Sequence, residues 1–245
     1  MGKPLDYNPI ALNYSKTRSA VPWVTEPLMN AVTDFPAGSG ILEIGCGTGN
    51  YIIELSNALP AYNYYGFDLS EEMLKVARSR SDKVNFIRGD AEMVFPFYGA
   101  EFNLCFAVDV IHHIVDIKNF FTETSRCLKP NGEFILVTDL EENMKKRSLS
   151  KFFPEILNVE MERYPSLELI ISSAANAGFH HACTRLAEGY RDIDEEFFDS
   201  VKNKCSSSMR LITDEQHKKG LERILVAKEK GEKWFSSYSI LKFIK

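Results

Sequence analysis

The sequence predicts an α/β protein built on a doubly wound, parallel sheet. From Gly40 to Asp139, apolar runs of strand length alternate with amphipathic helical stretches, the pattern a parallel sheet with crossover helices requires. The first apolar run, Ile41 to Ile44, opens into glycines at alternate positions, Gly45, Gly47 and Gly49, before a helical stretch starts at Asn50. Phe102 to Val108 is almost continuously apolar, as a strand buried on both faces must be.

Taken in order, residues 1–38 place Tyr7, Tyr14, Trp23 and Phe35 among five prolines. They read as short helical pieces with prolines at their edges, an N-terminal cap that folds over the sheet core and turns Arg18 and its aromatic rings toward a ligand. Residues 39–139 form that core, with strands over 41–44, 63–67, 84–88, 102–108 and 133–139. Ser70 suits an N-cap, with Glu71 and Glu72 in the first helical turn, where the helix dipole favours anions. Lys129-Pro130-Asn131-Gly132 has turn chemistry. Beyond it lie two cap insertions on a single domain, 140–164 and 190–235. The charge run from Glu141 to Arg147 reads as a solvated helix face, and a Thr213-x-x-Gln216 capping box starts a helix that Gly231 ends. A helix from Ser166 stops at Gly178, a strand follows over 180–186, and 236–245 holds the final strand.

Composition excludes several classes. At 245 residues, 44% hydrophobic and 26% charged, the chain has the balance of a soluble globular protein. A net charge of −5 gives no electrostatic footprint for nucleic acid. Five scattered cysteines without C-x-x-C spacing indicate neither a zinc site nor a disulfide framework, so no metal is expected. No apolar run reaches the length of a membrane span, and the first ten residues lack a signal peptide's apolar stretch. A cytoplasmic protein without membrane contact is expected. The oligomeric state is left open.

The glycine stretch reads as strand, tight loop, helix. Glycine takes positive φ and admits a ligand close to the backbone, and the helix start offers unpaired N–H groups and partial positive charge. Asp68 follows Gly49 by 19 residues, a spacing shared by nucleoside-binding folds that place an acid on the ribose. The dinucleotide fingerprint is G-x-G-x-x-G, whereas this chain has G-x-G-x-G with Glu43 two residues before it. An acid there repels a pyrophosphate and suits a cationic ligand, an ammonium or sulfonium.

In these residues the chain resembles the class I S-adenosylmethionine-dependent methyltransferases, and most specifically the small-molecule group with the type 11 methyltransferase domain. Five segments carry the resemblance: Leu42 to Gly49, Gly66-Phe67-Asp68-Leu69-Ser70, Gly89-Asp90-Ala91-Glu92, Phe102 to Ile114, and Leu128-Lys129-Pro130-Asn131-Gly132-Glu133. It is strong over residues 7–139 and weak beyond. It implies the Rossmann-like methyltransferase fold, a mostly parallel seven-stranded sheet with helical cap segments, and S-adenosyl-L-methionine as cofactor. Gly45 and Gly47 would line its methionyl and ribose part beside Glu43, and Asp68 would take the ribose hydroxyls. Asp90 would accept from the adenine amino group, Ala91 would supply a backbone N–H, and Leu69 would pack on the ring. Ala107 would face the methionyl ammonium, and Tyr14 and Arg18 resemble a Tyr-x-x-x-Arg pair that reaches its carboxylate.

Methyl transfer from a sulfonium asks the protein mainly to position the acceptor and exclude water. Where an acceptor must lose a proton, a histidine suits the task, and the resemblance places His112 and His113 near the transferring methyl. The acidic charge and the absence of an Asn-Pro-Pro-Tyr tetrapeptide or a Pro-Cys pair favour a small-molecule acceptor, with Tyr7, Trp23, Phe152 and Phe153 as pocket candidates. The alternatives are methylation of protein or RNA, a non-catalytic cofactor-binding module, and a nicotinamide-dependent dehydrogenase, the last disfavoured by Glu43 and the glycine spacing.

Overall fold

The computed structural model describes residues 19–204 and 206–245. Tyr7, Tyr14, Arg18 and Cys205 lie outside them. Helix α1 (Pro22–Thr33) is followed by β1 (Gly40–Ile44), α2 (Asn50–Ala58), β2 (Asn63–Asp68), α3 (Glu71–Arg80), β3 (Val84–Arg88) and β4 (Phe102–Val108). A 3-10 turn, Ile111–His113, leads to α4 (Ile117–Cys127) and β5 (Leu128–Thr138). The remaining elements are α5 (Glu141–Lys146), α6 (Ser148–Phe152), α7 (Pro154–Arg163), α8 (Leu167–Asn176), β6 (His180–Arg191), α9 (Glu195–Lys202), another 3-10 turn (Ser208–Arg210), α10 (Asp214–Glu229) and β7 (Trp234–Ile244).

The sheet order is β3-β2-β1-β4-β5-β7-β6, with β1 to β5 parallel and β7 antiparallel to both its neighbours. The strand order reverses between β1 and β4, the switch point at which ligands bind beyond the carboxyl ends of the strands. Side chains alternate across the sheet as period-two pleating demands. Ile41, Leu104, Phe106 and Val108 pack against α1 and α2, while Leu42, Ile44 and Ala107 join Phe120, Phe121 and Ile170 on the other face. Local caps agree with the sequence: Ser70 accepts from the Met73 amide, Ser166 from that of Leu169, and Thr213 and Gln216 close a capping box.

Several expectations are corrected. The turn chemistry of residues 129–132 does not end an element; it is absorbed into β5 as a bulge, with Asn131 at φ +62° and the pairing shifting between Phe102 and Leu104. Helix α1 continues through Pro27 rather than breaking there. Strand β6 runs to Arg191 and β7 starts at Trp234, so the ends of the stretch read as helical are strand instead. Cross-strand contact drives this extension: the Tyr190 and Phe235 rings sit 4.9 Å apart. The resulting two-stranded ribbon projects past the end of β5, whose last pair is Thr138 with Ser239. It carries the cap: buried Asn143 of α5 donates to Ser237 and accepts from Ser239, and Ser148 of α6 accepts from the Phe235 amide.

The cap has its own core of Leu149, Phe152, Phe153, Ile156, Phe197, Ile224 and Trp234. Phe152 and Phe153 therefore hold the cap together instead of lining a pocket. Trp23 likewise covers Gly189 of β6, where a Cβ would come within 2.0 Å of its ring. No helix among the described residues is long and apolar enough to cross a membrane.

Candidate functional site

The glycine loop between β1 and α2 is fastened to the end of β2. The Gly45 and Cys46 amides both donate to the Phe67 carbonyl, at 2.9 and 3.0 Å. Gly45, Gly47 and Gly49 have φ of +69°, +53° and +78°, the left-handed region that side chains disfavour. Their surroundings differ. A Cβ at Gly45 would lie 2.6 Å from Val110, whereas one at Gly47 would meet no atom within 4 Å. Gly45 is glycine for packing, and Gly47 opens the loop backbone to a ligand.

Two carboxylates fix the loop. Asp68, at the end of β2, accepts from the Gly47 amide through Oδ2 and from the Ser70 amide through Oδ1, each at 2.8 Å. Each oxygen keeps a second lone pair for a ligand hydroxyl. Glu43, 3% exposed, lies beneath the loop and accepts from the Ile52 amide at 3.1 Å. It caps the first turn of α2. Burial raises the Glu43 carboxyl well above its usual range, against the pull of that amide. Arg80, not singled out in the sequence, clamps the far end of the loop through the Thr48 carbonyl and Asn50, both at 2.7 Å.

The other expected residues are distributed unevenly. Asp90 closes a turn on the Glu92 amide at 2.9 Å, beside Ala91, and Leu69 is 52% exposed, open to a flat apolar ring. Ala107 is buried in the core layer beneath the sheet, so only its backbone can contact a ligand. His112 and His113 point to different surroundings. The His112 ring stacks on Tyr164 at 4.3 Å and 24° and lines a cavity, which His113 does not. Burial and the charge of Arg163 push His113 down to about 4, leaving it neutral and a weak base at pH 7.

That cavity, of about 160 Å³, lies between the carboxyl edge of the sheet and the cap. Tyr51 in the first turn of α2 and Asp109 after β4 form part of its wall, so it abuts the glycine loop. Asp109 holds φ +55° and donates its amide to the Val137 carbonyl at 3.0 Å. Deeper, Arg147 pairs with Asp139 and with Glu160, and Ser208 donates to Glu160 at 2.7 Å. The charge run, expected as a solvated face, is one at Glu141, Glu142, Lys145 and Lys146, where Glu141 with Lys145 and Glu142 with Lys146 are exposed pairs one turn apart. Arg147 departs from it, because the chain turns between α5 and α6 and carries it under the cap, 8% exposed. Asp139, Arg147, Glu160 and Tyr164 were missed. An available signal was the recurrence of an acid after the last strand residue, Asp109 for β4 and Asp139 for β5, at the edge where open α/β sheets bind ligands.

Burial pushes the Asp139 carboxyl up to about 7, with Arg147 opposing and Asp109 and Glu160 adding to the rise. A carboxyl raised on folding contributes stability that is full below its unfolded value near 4 and is lost as pH rises through the folded value. Relative to Asp139→Asn, the wild-type chain is therefore expected to lose urea resistance steadily between about pH 4 and pH 7. Urea midpoints of both proteins across that range check it.

Residues 42–136, less than half of the chain, match the family profile of the methyltransferase domain. Among curated relatives, a demethylmenaquinone methyltransferase of Chlorobaculum tepidum is 29% identical over 161 residues, covering 58% of this chain and 66% of that protein. A malonyl-[acyl-carrier protein] O-methyltransferase of Hahella chejuensis is 28% identical, covering 58% and 51%. The matches thus span two thirds or less of these relatives' lengths. A crystal structure from Anabaena variabilis, of a candidate methyltransferase from an antibiotic biosynthesis pathway, superposes with a TM-score of 0.73 at 20% identity, covering 93% of this chain and 98% of that one. It corroborates the fold.

Proposed function

We propose that the chain transfers a methyl group from S-adenosyl-L-methionine to a small-molecule acceptor held in the cavity under the cap. The observation that carries this reading is the juxtaposition of an open glycine loop, held by Asp68, with a polar cavity under the cap that shares its wall. Gly47 and Asp68 would hold the ribose and methionyl portion, and Leu69, Asp90 and Ala91 the adenine. When bound, the cofactor supplies a methyl group on a positively charged sulfur. The protein supplies position and dryness, the two contributions such a displacement needs: the cap seals the acceptor from water and Asp109, His112 and Tyr164 define its seat. Enclosure by the cap favours a small acceptor over a folded macromolecule.

The test is transfer of labelled methyl from the cofactor into a cell extract. Label is expected in the small-molecule fraction; label confined to protein or RNA would refute the reading. The two loop glycines give a second expected result. Gly45→Ala forces a Cβ onto Val110 and should lower folding stability by about 1–3 kcal/mol, as overpacking does. Gly47→Ala meets no protein atom, so its folding cost is confined to about 1–2 kcal/mol for a left-handed alanine, and it should in addition weaken cofactor binding by about 1–3 kcal/mol through contact in the ligand's space. Urea unfolding and calorimetry on both variants separate the two effects.

A further inference from the structure

The cluster beneath the cap has a charge imbalance. Asp139 is 1% and Glu160 2% exposed, and Arg147 binds one oxygen of each. The second oxygen of Glu160 is taken by Ser208, whereas Oδ1 of Asp139 has no hydrogen-bond partner, nor does Nε of Arg147. Two buried carboxylates face one guanidinium. A buried cluster left with one uncompensated negative charge is unfavourable, and a cation neutralises it. Among the described residues no three metal-ligating side chains converge to hold a metal ion, so an organic cation is the fitting partner.

We infer that the acceptor is an amine, that its ammonium form is bound by the Asp139-Arg147-Glu160 cluster, and that Oδ1 of Asp139 takes its proton before methylation. This rests on the methyltransferase reading above. The ammonium N–H gives its proton to Asp139, and the freed nitrogen lone pair forms the new N–C bond. The C–S bond breaks with its electron pair remaining on sulfur, and the product leaves as a methylated ammonium. An alcohol would leave the charge uncompensated, and a carbon acceptor would in addition leave Oδ1 without a donor. Burial, with the charges of Asp109 and Glu160 adding and Arg147 opposing, holds the Asp139 carboxyl at about 7, the range in which a group both accepts and returns a proton.

The experiment uses the full chain in two arms. In the first, 13C-methyl-labelled cofactor is incubated with the small-molecule fraction of a cell extract, and the carbon chemical shift of the transferred group reports its bond. An N-methyl product is expected, with Asp139→Asn slowing its formation by on the order of 10²–10⁴-fold, the range for loss of a general base, and Asp139→Glu restoring part of the rate. An O- or C-methyl product overturns the amine assignment while leaving the methyltransferase reading intact. Label in no small molecule despite bound cofactor overturns both. The second arm needs no turnover and no Asp139 variant: the cofactor-free chain is heated with propylammonium chloride or with 1-propanol, against a potassium chloride control. A rise in unfolding temperature with the amine alone, abolished in Glu160→Gln, is expected. Equal shifts with amine and alcohol, or a shift that survives Glu160→Gln, contradict the inference.

Discussion

Replacing Arg147 by alanine is expected to destabilise the fold by about 3–5 kcal/mol, the loss observed when one member of a buried ion-pair cluster is removed. Asp139 and Glu160 would be left facing each other under the cap without a counter-charge. Because those carboxyls can escape the penalty by taking protons, the loss should be smaller at pH 5 than at pH 8. Converting all three to neutral residues of similar volume, Asp139→Asn with Arg147→Met and Glu160→Gln, should recover a large part of the stability, since a buried triad contributes little beyond balancing itself. Urea denaturation of the single and triple variants at both pH values measures this. An alanine variant as stable as wild type would mean that Arg147 is solvated in solution.

Asp68→Ala is expected to weaken S-adenosyl-L-methionine binding by about 1.5–3 kcal/mol, the range for a hydrogen bond to a charged group, or roughly ten- to 150-fold. The effect has two sources in the structure. The variant loses the carboxylate proposed for the ribose hydroxyls, and it releases the Gly47 and Ser70 amides that Asp68 now holds at 2.8 Å. Asp68→Asn keeps one acceptor oxygen and should fall between alanine and wild type. Calorimetric titration of the three proteins gives the order; an unchanged affinity in Asp68→Ala would mean that the ribose lies elsewhere.

The sheet was legible in the sequence because its signals are local. Each parallel strand is a short apolar run with helical periodicity on either side, and the glycines and Ser70 punctuate them through steric and capping preferences that need no tertiary partner. The same is true of the loop half of the site, where Gly45, Gly47 and Asp68 lie within one strand-helix-strand unit. What was misread depends on contacts distant along the chain. The bulge in β5 is decided by pairing with Phe102 and Leu104, and the length of β6 and β7 by each other. Phe152 and Phe153 belong to a core assembled from helices as distant along the sequence as α10. Arg147 looks like its exposed neighbours until the fold brings Glu160 beside it.

Everything proposed for the reaction depends on the open loop over Gly47 being a nucleoside-cofactor site. Calorimetric titration of the full chain with S-adenosyl-L-methionine tests this most directly. Saturable one-site binding with a Kd on the order of micromolar, about −8 kcal/mol, is predicted for wild type, with marked weakening in Asp68→Ala. Absence of heat together with absence of any thermal shift would contradict it.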